Sequence, residues 1–173
     1  DVNIYVSGLP LFTFALVRPA YKLEICEDIV NLNLSYQSPF EKLYEIAKFY
    51  IEHGADPNIQ DLNGLDSLSR AIKLNLDSYV LALINSKKID LTKRILDPET
   101  GVNKSYLHYA ARLDDPTILL QLLGKKEIDV NAEDDNGDTP LMESCRFNKS
   151  KIIEALFQRD DLNYLHVNKN GED

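Results

Sequence analysis

The chain has 173 residues, 44% of them hydrophobic and 27% charged, which is typical of a soluble folded unit of about one domain. Its net charge of −9 argues against broad binding of nucleic acid and against attachment to an anionic membrane surface, because both require positive potential. The longest mainly apolar run, residues 9–17, is far shorter than the roughly 20 residues that span a bilayer, so we expect neither a nucleic-acid partner nor membrane insertion.

A turn phrase recurs along the chain, which is the pattern of a stack of similar folding units. Asp-Val-Asn opens the chain at residues 1–3 and returns at residues 129–131, and Gly-Ala-Asp-Pro-Asn occupies residues 54–58. A unit of two short helices cannot bury its apolar face alone, so we expect neighbouring units to stack on one another.

The first unit, residues 1–58, contains two predicted helices separated by an insertion. Apolar residues at helical spacing predict its first helix around residues 11–15 and its second around residues 46–51. The connection between them, from about residue 18 to residue 39, is far longer than a short turn needs. Its apolar content is too high for a free solvated loop, so we expect the insertion 18–39 to pack on the stack or on a partner.

The next two units, residues 59–91 and 92–131, each predict a pair of short helices. Leu68 and Leu107 begin the first helix of each pair, and apolar or small residues follow three and four positions later. The 39 residues between these two leucines exceed the 34 residues of the shortest unit. The excess predicts a lengthened hairpin around residues 97–101.

The last full unit, residues 132–163, has the clearest pattern. Residues 134–137 read Asp-Asp-Asn-Gly and predict a tight turn in which glycine supplies the positive φ. Thr139 then caps a helix, and Pro140 takes its first position, where the missing N–H costs nothing. Residues 164–173 resemble the start of a further unit, so we expect the chain to be a fragment of a longer protein.

Three segments carry the most recognisable pattern. They are Gly137-Asp138-Thr139-Pro140-Leu141, Tyr106-Leu107-His108-Tyr109-Ala110-Ala111 and His53-Gly54-Ala55-Asp56-Pro57-Asn58. Together they resemble the ankyrin repeat family. The resemblance implies an all-α, ankyrin-type helical repeat solenoid with short β-hairpin loops and about four repeats across residues 1–173. It also implies that His108 hydrogen-bonds the backbone of a neighbouring turn.

The apolar periodicity of residues 107–163 predicts helices throughout that range, except for the loops between paired helices and a hairpin near residues 131–138. It also predicts which side chains are buried between adjacent repeats. These are Leu107, Ala110, Leu122, Leu141, Cys145, Ile153 and Leu156.

Residue types that perform chemistry form no recognisable constellation in the sequence. Cys26 and Cys145 lie far apart and are interpreted as reduced thiols, which predicts an intracellular, cytoplasmic protein, with the nucleus as the alternative location. The three histidines are scattered, and the sequence has no glycine-rich phosphate loop and no nucleophile elbow. We therefore expect no catalytic residue, no metal site, no cofactor and no enzyme activity.

Equivalent positions in successive repeats form two rows that are candidates for a binding site. In an ankyrin-like stack, the last turns of the first helices and the hairpin tips line the concave face. The basic row contains Lys73, Arg112 and Arg146, the apolar row contains Leu74, Leu113 and Phe147, and the rim contains Lys104, Asp135 and Asn136. We expect the three cations to be mostly exposed. The alternative is that they are solvated helix ends whose charge complements the helix dipole.

These rows predict a non-catalytic protein–protein interaction module that binds through the concave face and the hairpin tips. Its partner is another protein or an acidic, partly apolar peptide, because a basic row beside an apolar row complements such a segment. The insertion 18–39 is a second candidate for recognition. The alternative function is a regulatory or scaffolding stack that controls a catalytic domain elsewhere in the parent chain.

Overall fold

The structure is a computed structural model that describes residues 5–6, 9–10, 39–52 and 55–173. Within these ranges it contains two antiparallel strand pairs and seven helices. In chain order the elements are β1 Tyr5–Val6, β2 Leu9–Pro10, α1 Pro39–Glu52, α2 Ser67–Lys73, α3 Asp77–Asn85, β3 Ile95–Asp97, β4 Val102–Lys104, α4 Tyr106–Ala110, α5 Thr117–Leu123, α6 Pro140–Arg146 and α7 Ser150–Leu156. The predicted helix around residues 11–15 and the insertion 18–39 lie outside the described residues, apart from Pro39, which begins α1.

The helices pack in pairs, and each pair packs on the next. Along the inner row, α2 contacts α4 and α4 contacts α6, while along the outer row α1, α3, α5 and α7 contact one another in sequence. Each inner helix also contacts the outer helix that follows it in the chain. The helices predicted within residues 107–163 are confirmed, and residues 131–138 form a non-helical turn as expected.

The hairpin between β3 and β4 accounts for the extra residues of its repeat. Ile95 pairs with Lys104 and Asp97 pairs with Val102, so the loop lies at residues 98–101, where the lengthened hairpin was predicted. The hairpin ends one residue before the cap of α4, and it therefore places its tip beside the inner helices.

The inner helices begin at polar caps that the sequence indicates. The Asp66 carboxylate accepts a hydrogen bond from the Ser69 N–H at 2.9 Å and caps α2, while Thr139 caps α6 with Pro140 at the first helical position. Asp66 also links two repeats, because it accepts a hydrogen bond of 2.6 Å from the hydroxyl of Tyr106, the first residue of α4. Both side chains are fully buried.

A turn with the same internal hydrogen bonds precedes α2 and α6 and recurs at the C-terminus. In each copy one side-chain oxygen, from Asp61, Asp134 or Asn168, accepts the N–H groups of residues two and four positions later. Gly137 has a φ of +79°, and a Cβ there would lie 3.1 Å from the backbone nitrogen of Lys169 in the next turn. The glycine is therefore required both for the left-handed conformation and for the close contact between successive turns.

One hydrophobic cluster runs through the described repeats, from Ala47 in α1 to Leu156 in α7. The burial predicted for five of its members is confirmed, and these are Leu107, Ala110, Leu122, Leu141 and Leu156. Ile153 is only partly buried and packs against the edge of the cluster. Apolar side chains facing both neighbouring repeats thus supply the main stabilisation.

The predicted burial of Cys145 is wrong, because its thiol is exposed and free. The equivalent residues of the preceding repeats, Ile72 and Ala111, are fully buried. Ile72 lies on α2 and Ala111 is the C-cap of α4, and each of these helices packs against the inner helix of the next repeat. Among the described elements, α6 packs mainly against α4 and α7. Cys145 therefore lines an open pocket together with Phe157 and Tyr164.

Candidate functional site

His108 has the structural role that was expected of it. Its Nε2 donates to the Asp138 carbonyl at 2.8 Å, and its Nδ1 accepts the Ser105 N–H at 3.3 Å. Burial lowers the pKa of the imidazole, so it is neutral at pH 7 and bridges two repeats through one donor and one acceptor. The ring has no free nitrogen left for catalysis or for a metal.

Two cations of the predicted basic row meet on buried carboxylates. Lys73 Nζ lies 3.5 Å from Asp97 Oδ1 and 2.7 Å from Glu99 Oε1. Arg112 Nη1 lies 3.0 Å from Asp97 Oδ2, and its Nε lies 2.6 Å from Glu143 Oε1. The Asp97 and Glu143 side chains are 0% and 1% exposed, so the row is part of an ion-pair network that crosses the repeats.

Arg146 extends this network to the C-terminal turn. Its Nη1 lies 2.6 Å from Asp138 Oδ2 and 3.3 Å from Glu143 Oε2, and its Nη2 lies 3.7 Å from Glu172 Oε2. The side chain is 46% exposed, so this guanidinium is the most solvent-accessible of the three cations.

The expectation that all three cations are mostly exposed is therefore corrected. The Lys73 and Arg112 side chains are only 24% and 18% exposed, because the buried carboxylates draw them against the helices. Lys104, predicted on the rim, is buried: its side chain is 4% exposed, and its Nζ lies 2.6 Å from Glu143 Oε1. Lys104 stabilises the network from within and does not face solvent.

The electrostatics of the two carboxylates follow from their cationic neighbours. Burial alone would raise the pKa of Glu143, but the hydrogen bond from Lys104 and the charge of Arg112 outweigh it and hold the pKa below its usual range. Burial would also raise the pKa of Asp97, yet the Glu99 N–H and the charge of Arg112 lower it below normal. Both groups are therefore ionised at neutral pH.

These pKa values predict a fall in stability with acid in two steps. His108 is buried and neutral in the folded protein, so as the pH falls the imidazole is protonated in the unfolded chain before it is protonated in the folded one. The free energy of unfolding therefore decreases below about pH 6.5, by up to about 1.4 kcal/mol per pH unit. Glu143 and Asp97 have lowered pKa values, so their contribution is present above their ordinary values of 4.5 and 3.8 and is lost below them. Asp66, whose pKa burial raises, opposes this second step.

Urea unfolding at a series of pH values from 7.5 to 3.5 measures both steps. The first step should disappear in His108→Gln, which cannot titrate, while the second should remain. A level free energy of unfolding between pH 6.5 and 5 in the wild type would contradict a buried neutral imidazole.

The apolar row is exposed at its two ends and partly buried in the middle. Leu74 and Phe147 are 43% and 45% exposed, whereas Leu113 is partly buried and packs against the core. The Arg112 guanidinium lies 4.9 Å from the centroid of the Phe147 ring, which is a cation–π distance. Phe147 and Arg112 thus form a joint surface between the last two repeats.

The hairpin tips contain both predicted and unexpected exposed residues. Asp135 and Asn136 are exposed as the rim prediction requires, although Asp135 also accepts two hydrogen bonds from Asn103 of the preceding hairpin, at 2.9 and 2.8 Å. Two exposed leucines were not predicted from the sequence: Leu62, in the turn before α2, and Leu96, in the middle of β3, are 81% and 42% exposed. Neither leucine belongs to the predicted apolar row.

The carboxylates that organise the site were not predicted from the sequence either. Glu143 lies three residues before Arg146 on the same helix, and an i,i+3 pair of opposite charge is a signal that could have been used. Asp97 and Glu99 lie in the lengthened hairpin, and their contacts with Lys73 and Arg112 depend on how far that hairpin reaches back over the stack. Sequence spacing does not specify that reach.

The comparison with known families agrees with this arrangement of helix pairs and hairpins. The family described as ankyrin repeats (3 copies) matches residues 34–134 and 81–171, which is well over half of the chain. The chain belongs to the ankyrin repeat family.

Two curated relatives place this ankyrin repeat chain among much longer proteins. It is 26% identical over 137 residues to an ankyrin repeat protein of Acanthamoeba polyphaga mimivirus, covering 79% of this chain and 13% of that protein. It is 27% identical over 129 residues to calmodulin-binding transcription activator homolog 1 of Caenorhabditis elegans, covering 70% of this chain and 10% of that protein. The chain thus spans a small fraction of the length of either relative.

Two kinds of site are absent from the described part of this ankyrin repeat chain: a cluster of metal ligands and a helix able to cross a membrane. Within residues 39–52 and 55–173, no group of three or more histidine, cysteine or carboxylate side chains is placed to share an ion. None of the helices in the described ranges has the length and apolar character needed to cross a bilayer.

Proposed function

We propose that this chain is a non-catalytic protein-interaction module whose repeats form an ankyrin-type solenoid. A segment of a partner protein binds along the concave face, which consists of the last turns of α2, α4 and α6 and the hairpin tips. The observation that carries the proposal is the row of cations at equivalent positions, with the exposed Leu74 and Phe147 beside its ends. The alternative function, a regulatory or scaffolding stack that controls a catalytic domain elsewhere in the parent chain, stays a prediction.

The partner segment is acidic and partly apolar. Leu74 and Phe147 supply apolar area, and Arg146 keeps nearly half of its side chain in solvent, so it can pair with an additional carboxylate. Because the buried carboxylates balance much of the positive charge, apolar contact provides most of the affinity, and charge mainly sets register and association rate. Lys104 acts indirectly by holding Glu143, while Asp135 and Asn136 form the rim.

The ion-pair network restricts how this proposal is tested. Reversing the charge of Arg112 would oppose two buried carboxylates and destabilise the fold, so a loss of binding would have no clear meaning. Leu74 is a better position, because it is 43% exposed and makes no ion pair. Leu120 on α5 provides a matched control, since it is 46% exposed and lies on the outer row.

The probe is a fluorescein-labelled peptide of alternating glutamate and leucine, and fluorescence anisotropy measures its binding. We expect the chain to bind this peptide more tightly than a peptide of alternating lysine and leucine. Leu74→Glu should weaken binding about tenfold, whereas Leu120→Glu should leave it unchanged. Equal weakening by both substitutions, or a preference for the lysine peptide, would refute the concave-face site.

A further inference from the structure

The lengthened hairpin places an exposed carboxylate over two cations of the candidate binding face. Glu99 lies in the loop between β3 and β4, and its side chain is 65% exposed. Its Oε1 lies 2.7 Å from Lys73 Nζ on α2, and its Oε2 lies 3.8 Å from Arg112 Nη1 just beyond α4. One flexible side chain therefore bridges cations from two neighbouring repeats.

Glu99 differs from the other carboxylates of the network in what it contributes to the fold. Asp97 is fully buried and pairs with both cations, and Arg112 has Glu143 as a second buried partner. Lys73 and Arg112 thus keep a buried counter-charge without Glu99. An ion pair with a largely exposed carboxylate contributes little to stability, so the Glu99 side chain is dispensable for the fold.

Glu99 is the solvent-accessible one of the two carboxylates that Lys73 and Arg112 share. Asp97 pairs with Lys73 and Arg112 from a position that solvent does not reach. Glu99 contacts the same two cations from the hairpin loop. The position that Glu99 occupies is the one from which a carboxylate of another molecule would reach Lys73 and Arg112 together. Charge complementarity between two cations and one anion makes this position selective for an acidic side chain.

We propose that Lys73 and Arg112 form a carboxylate-binding subsite that Glu99 occupies in the free chain. The inference rests on the proposed function and assigns the subsite to an aspartate or glutamate side chain of the partner segment. The partner's carboxylate displaces Glu99, and the loop at residues 98–101 carries the displaced side chain away. Glu99 thereby lowers the affinity for acidic partners, because their carboxylate must first displace it.

The test compares Glu99→Gln with the wild type in binding the glutamate–leucine peptide. We expect the substitution to tighten binding about two- to fivefold, because it removes the internal competitor. Glu127→Gln is the control for net charge, since Glu127 is an exposed glutamate in the loop after α5, and it should leave binding unchanged. A glutamine–leucine peptide should show no gain with Glu99→Gln, because it brings no carboxylate to the subsite.

The outcomes separate this inference from the proposed function. If the wild type binds the glutamate–leucine peptide and Glu99→Gln binds it equally or more weakly, the subsite is wrong and the binding face stands. If neither protein binds the peptide, the binding face itself is refuted. A circular dichroism melt checks that Glu99→Gln keeps the wild-type unfolding temperature, and Glu99→Ala provides a second variant with the same expected gain.

Discussion

Glu143→Gln is expected to lower the free energy of unfolding by about 3–5 kcal/mol, because it removes one partner from a buried ionic network. The Glu143 carboxylate is 1% exposed and contacts Lys104 Nζ and Arg112 Nε, both at 2.6 Å. Lys104 is itself buried and would keep an unbalanced positive charge. Glutamine keeps the shape of the side chain, so the effect measures the charge rather than a cavity.

Urea unfolding followed by circular dichroism at pH 7 measures this loss. Glu127→Gln makes the same chemical change at an exposed position and should alter the free energy of unfolding by less than about 0.5 kcal/mol. If the two substitutions have equal effects, Glu143 does not organise the network.

Leu107→Ala is expected to cost about 2–5 kcal/mol through loss of buried apolar area and formation of a cavity. Leu107 lies on α4, which packs between α2 and α6, and its side chain is 0% exposed. The loss should spread to the neighbouring repeats first, since repeat arrays are coupled through nearest-neighbour interfaces. Hydrogen exchange would detect this as faster exchange in α2 and α6.

Leu141→Ala is the matched comparison for this prediction. Leu141 occupies the equivalent position on α6, but it is 8% exposed and lines the open pocket beside Cys145. We expect its replacement to cost less than that of Leu107, because solvent can enter the space that alanine leaves. If Leu141→Ala lowered the free energy of unfolding more than Leu107→Ala, the most tightly packed part of the protein would lie around α6 and not around α4.

The sequence predicts those features of the fold that depend on local chemistry. Thr139 and Pro140 indicate the start of α6, the Asp-Asp-Asn-Gly turn is visible at residues 134–137, and the His108 hydrogen bond follows from the family resemblance. The error at Cys145 has a different origin, because burial of an inner-helix residue depends on whether another helix covers it. Periodicity marks the face of a helix but not the neighbour that packs against it.

The candidate site was predictable in its positions but not in its electrostatics. Their equivalent places in three successive repeats identified Lys73, Arg112 and Arg146 as a row, and the structure places all three in one connected network. The carboxylate partners of Lys73 and Arg112 come from the lengthened hairpin or from another repeat, so no short-range pattern reveals them. Lys104 illustrates this, since its contact with Glu143 spans 39 residues of sequence.

The ion-pair network also determines how this surface can change during evolution. Lys73 and Arg112 neutralise buried carboxylates in addition to the partner contact proposed for them, so few replacements at these positions would leave a folded protein. Leu74 and Glu99 are exposed and neutralise no buried charge, so they can be replaced with little loss of folding stability. New partner specificities should therefore arise by substitution of Leu74 and Glu99, while Lys73 and Arg112 remain unchanged.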